Sequence, residues 1–128
     1  MTLSALLAFT VMLGTTGCKK TDLSKLVEEI NENCPQDNGM FTLTKVAIEN
    51  NCLTYYEEAS KENFEALDED AKREELIKGI QGDNKNVVTE IVRANKGLAY
   101  VYYESSDSTM ENTKTIMFEP SELGNLIK

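Results

Sequence analysis

The chain contains no histidine and no tryptophan. The first absence removes the commonest general base, the usual transition-metal ligand and the usual triad partner of a nucleophilic Ser or Cys. Basic residues are scarce: 13 Lys and Arg stand against 22 Asp and Glu, a formal net charge of -9. Phosphate recognition needs clustered Lys and Arg, so no nucleic acid is expected as a partner. There is no Cys-x-x-Cys, no zinc-type spacing and no Gly-rich phosphate loop, so neither a metal nor a cofactor is expected. Long apolar runs are missing too. The longest, Leu3 to Leu13, falls well short of the roughly 20 residues a membrane-spanning helix needs.

That short run suits a signal-peptide core instead. It ends in Leu13-Gly14-Thr15-Thr16-Gly17-Cys18-Lys19-Lys20, small residues followed by a cysteine. The pattern reads as the cleavage and lipidation site of a bacterial lipoprotein, with Thr15 where leucine is usual. Residues 1–17 are then a lipoprotein signal peptide, residues 18–22 a lipidated Cys18 with a short tether, and residues 23–128 a single α+β domain. The expected partner at this end is the membrane, through the lipid on Cys18, and the expected place is the bacterial cell envelope, on the periplasmic or surface side of the outer membrane. The alternative is a plain secretory signal that leaves Cys18 in the mature chain.

The domain alternates helical and strand periods. Leu23, Leu26, Val27 and Ile30 recur at the spacing of one helical face, and Asn33-Cys34-Pro35 ends it. Gln36-Asp37-Asn38-Gly39 is turn chemistry. Met40 to Ile48 reads as a strand whose alternation slips at Thr44-Lys45, the mark of a bulge. Glu49-Asn50-Asn51 turns the chain into a returning strand, Cys52 to Glu57. Phe64 and Leu67 pin a short turn, a helix runs from about Glu69 to Gln81, and Asp83 or Asn84 caps the next. Leu98 to Glu104 and Lys114 to Glu119 form a second strand pair, and Pro120 opens a last helix. The order α-β-β-α-α-β-β-α predicts a four-stranded antiparallel sheet built from two hairpins, with helices packed on one face.

Several stretches carry a family resemblance: Asn31-Glu32-Asn33-Cys34-Pro35, Thr42-Leu43-Thr44-Lys45-Val46, Ala94 to Tyr103, and Phe118-Glu119-Pro120-Ser121-Glu122-Leu123. In this order they resemble the small uncharacterised lipoproteins of Bacteroides-type bacteria. The resemblance implies an envelope location and an α+β fold. It implies no activity and no catalytic residues.

Three constellations remain. Cys34 and Cys52 lie in a domain expected in an oxidising compartment, where they form either a disulfide or two separate buried thiols. Tyr56, Tyr100, Tyr102 and Tyr103 lie on strands, where adjacent residues point to opposite faces. They form either an exposed binding surface or cross-strand packing. The acidic run Glu57, Glu58, Glu62, Glu65, Asp68, Glu69, Asp70, Glu74, Glu75 lacks the spacing of a calcium loop and reads first as a solvated face. The leading functional expectation is a lipid-anchored envelope domain that binds a protein or small ligand. An inhibitor or immunity-like protein using its acidic face comes second, and a carboxylate-based glycan hydrolase third.

Overall fold

The computed structural model describes residues 23–128. The expected signal peptide, Cys18 and the expected tether fall outside the described residues.

The first helical stripe becomes α1 (Leu23–Glu32), with Leu23, Leu26 and Ile30 buried. Beyond Pro35, the segment expected to be turn alone contains a short strand, β1 (Gln36–Asp37). Asp37 Oδ1 accepts the Gly39 N–H at 3.0 Å and Gly39 takes a φ of +102°, so the chain reverses tightly into β2 (Phe41–Glu49). The expected bulge is present: the register against β3 (Cys52–Ala59) shifts between Leu43 and Lys45. The extra residue keeps Phe41, Leu43 and Val46 on one buried face despite their broken alternation. Asn50 and Asn51 both adopt positive φ, 50° and 63°, which matches the right-handed twist of the hairpin they close.

Three helices follow: α2 (Lys61–Ala66), α3 (Glu69–Gln81) and α4 (Lys85–Arg93). Ser60 and Asp68 cap the first two by accepting backbone N–H groups. The chain then forms β4 (Gly97–Glu104), β5 (Thr113–Phe118) and α5 (Pro120–Leu126), the last opened by proline at its start.

The α+β class holds, with two corrections. The sheet has five strands in the order β1-β2-β3-β4-β5, not four, and β3 pairs β4 in parallel. The remaining pairs are antiparallel. Parallel neighbours need a connection long enough to bring the chain back to the starting end. The segment α2–α4 does this: Gly97 begins β4 opposite Cys52, and its N–H donates to Asn51 O at 2.9 Å.

The helices share one side. Their apolar stripes form a single core with Phe41, Leu43, Val46, Leu53, Tyr55, Tyr100 and Phe118 of the sheet. Buried residues of opposite parity, Cys52, Ala99 and Tyr103, stand outside that cluster, on the opposite face of the sheet.

Side chains tether the two layers. Lys114 donates to Phe64 O at 2.6 Å and Leu67 O at 2.9 Å, so a β5 cation satisfies the carbonyls at the end of α2. Arg73 reaches from α3 to Met117 O at 2.9 Å, pairs with Glu122 and stacks over the Phe118 ring. Asn31 uses its amide like a strand, donating to Val46 O and accepting Val46 N–H, both at 2.9 Å, along the part of β2 that β1 leaves unpaired. Asn31→Ala should therefore cost about 1–2 kcal/mol in urea unfolding, the worth of two net hydrogen bonds. A loss within error would mean that water replaces the amide at no cost.

Candidate functional site

Strand parity decides where each candidate residue goes. On β3, Leu53, Tyr55, Glu57 and Ala59 face the helices, while Cys52, Thr54, Tyr56 and Glu58 face away.

The four candidate tyrosines do not form one surface. Tyr100 and Tyr102 are core rings: Tyr100 stacks on Tyr55 at 5.2 Å, and Tyr102 meets Phe41 edge-on at 5.0 Å. Tyr103 is buried on the opposite face, its hydroxyl 2.9 Å from Thr44 Oγ1. Tyr56 is half-buried on that face, beneath the Lys45 ammonium, and its hydroxyl donates to Glu49. Burial and that bond push the Tyr56 phenol up to about 12. Cross-strand packing thus accounts for Tyr100, Tyr102 and Tyr103, and the expected tyrosine surface reduces to Tyr56.

Of the two alternatives for the cysteines, the structure has the separate thiols: Cys34 and Cys52 are free. Cys34 packs on the helix side, donates to Ile30 O at 3.2 Å and feels the charge of Glu57. Cys52 starts β3 on the other face, and Glu57 lies five residues further along, about 16 Å in an extended strand. A bridge needs Cα atoms within roughly 7 Å. Burial raises both thiols, so they are poor nucleophiles. Thiol titration of denatured residues 19–128 should give two free thiols, and reductant should leave Tm unchanged. A reductant-sensitive Tm would indicate a bridge.

The acidic run splits. Glu62, Glu65, Asp68, Glu69, Asp70, Glu74 and Glu75 are exposed on α2, α3 and their link, as a solvated face should be. Glu58 is half-buried on the far face, and Glu57 is buried, 7% exposed and set between Leu43 of β2 and Tyr102 of β4. Its Oε1 has no hydrogen-bond partner. Gln36 of β1, next along the same row of the sheet, has an unpartnered Nε2. Above the row sits Lys72 of α3, 8% exposed, its ammonium 5.1 Å from the Phe41 ring and 3.4 Å from Glu75. Burial pushes the Glu57 carboxyl up to about 7, with the Lys72 charge pulling the other way.

Lys72 and Glu75 also line a cleft of about 220 Å³ between the start of β2 and the α2–α3 corner. Its apolar walls are Met40, Phe41, Leu67 and Ala71, with Met40 56% exposed. Glu75 and Asp68 put negative charge on its border. Asp68 Oδ1 already holds the Asp70 and Ala71 N–H groups at 3.0 and 3.3 Å, so it serves the helix start. Among the described residues, no group of His, Cys, Asp and Glu is arranged to hold a metal ion.

Glu57 and Lys72 each carry a sequence signal. Glu57 shares parity with Leu53 and Tyr55, and Lys72 shares the helical stripe of Leu76 and Ile80. The acidic run around Glu57 masks the first of these signals.

No family model matches the chain, and no curated protein matches it. Among solved structures, the fold is similar to the crystal structure of a Pseudomonas aeruginosa protein assumed to be secreted. The TM-score is 0.66 at 15% identity, over 79% of this chain and 88% of that one.

Proposed function

We propose that this chain is an exported domain, held in the bacterial envelope by a lipid on Cys18, that binds a basic segment of a partner protein and catalyses nothing. The lipidation motif supports the location, and a fold shared with a protein assumed to be secreted agrees with it. No helix among the described residues is long and apolar enough to cross a membrane.

The cleft carries the binding part of this reading. At about 220 Å³ it is smaller than the roughly 300–1,000 Å³ of typical small-molecule sites, and suits one anchoring side chain. Exposed Met40 offers apolar contact, and the acidic α2–α3 surface around it favours a basic partner.

Residues 19–128, immobilised, should capture a basic protein from envelope extract or host secretions at low salt and lose it at high salt. Ala71→Leu fills the cleft from an exposed helical position with a good helix former, so it should fold normally and abolish capture. Capture indifferent to both salt and Ala71→Leu would sink this reading, as would no capture at all.

A further inference from the structure

The cleft has a second layer. Lys72 stands in its wall, and Glu57 lies beyond it in the core. An ammonium has three donors, yet Lys72 has one carboxylate contact, at 3.4 Å, longer than the 2.7–2.9 Å of a firm charge-assisted bond. Its hold on Glu75 is weak. Glu57 has an oxygen with no partner. An ionised carboxylate cannot stay in such a place without a counter-charge.

Among the described residues, the groups facing Glu57 leave a single source for that charge. Tyr55 on its own strand, Tyr100 and Tyr102 on β4, and Cys34 before β1 all interact with it, and burial raises every one of them, so they stay neutral. Gln36 is uncharged. Lys114, at the far end of the row, is committed to the Phe64 and Leu67 carbonyls. Glu75 is itself an acid, on the solvent side, and supplies no positive charge. Lys72 remains, a buried ammonium on a long stem that touches Glu75 while its charge is felt at Glu57.

We propose that Lys72 is a proton-driven latch: it pairs with Glu75 at the cleft border while Glu57 is protonated, and turns inward to Glu57 when that carboxyl ionises, leaving the Glu75 carboxylate free to face the cleft. The proton leaves Glu57 for solvent, and no covalent bond changes apart from that O–H. The changeover falls in the neutral range, because burial holds the Glu57 carboxyl near 7. The consequence for binding rests on the cleft being the partner site: a freed Glu75 should tighten a basic ligand about two- to five-fold between pH 6 and 8, the worth of one exposed ion pair.

The test needs no partner. The chain, labelled with ¹³C and ¹⁵N, is titrated by NMR from about pH 5 to 9. The Glu57 carboxyl carbon, the Lys72 Nζ and the Glu75 carboxyl carbon should share one midpoint near neutrality. In Glu57→Gln, the Lys72 and Glu75 signals should be flat over that range. Lys72 and Glu75 signals that ignore the Glu57 titration, or that keep their step in Glu57→Gln, would overturn the latch. A shared midpoint with no change in basic-ligand affinity between pH 6 and 8 supports the latch and overturns the cleft as the binding site.

Discussion

Replacing Glu57 with Gln should stabilise the protein at pH 8 by about 3 kcal/mol and leave it nearly unchanged at pH 4. Below its ordinary value of 4.5 the carboxyl is protonated in both folded and unfolded chains and contributes no difference. Between 4.5 and about 7 the unfolded chain releases the proton while burial makes the native chain retain it. The native state then binds more protons, so stability falls as pH rises, and the loss levels off above 7. Gln has the shape of the protonated acid and does not titrate. Urea midpoints of both proteins at pH 4 and pH 8 check this. The quantity to read is the difference between them, since other carboxylates titrate equally in both. A difference that does not grow with pH would mean that Glu57 ionises in the native protein as easily as in water.

Gly97→Ala should cost about 3 kcal/mol, the upper end of what overpacking a tight site does. A Cβ at this position would stand 2.6 Å from Phe118 O and 2.9 Å from Cys52 Sγ. The first obstacle is backbone, so β5 must shift away from β4 at the register pair Leu98–Phe118. For a domain of this size Tm should fall by more than about 12 °C. Adding Cys52→Ala relieves the sulfur contact but not the carbonyl, so it should recover little. Full recovery would show that the thiol, and not the strand, sets the limit. The role of Gly97 is the close approach of three strands where β4 begins.

The positions of the elements were readable because they depend on neighbours a few residues away. The stripe Leu23, Leu26, Ile30 makes α1, and the run Leu98 to Tyr103 makes β4. The broken alternation at Thr44-Lys45 required a bulge, and Asn50-Asn51 suited a turn with positive φ. The site was less legible. Strand period says that Tyr100 and Tyr102 share a face but not that this face is the covered one. Glu57 and Lys72 have the spacing of core residues, but charge is the stronger signal in a sequence, and Glu57 reads with the solvated acidic run.

By itself, then, the sequence determined the acidic balance, the absence of histidine chemistry, the motif ending at Cys18 and every described helix and strand except β1 and α2, since each rests on composition or on local period. The tertiary structure decided what depends on contacts between distant segments. The helical connection α2–α4 returns the chain to the Cys52 end of β3, and that return makes β3 and β4 parallel. The same packing lays α3 over the Glu57 row, and it separates Cys34 from Cys52 along and across the sheet. No local pattern encodes which end of a strand a long connection comes back to, and that choice is what brings a buried acid, a buried lysine and a cleft to one place.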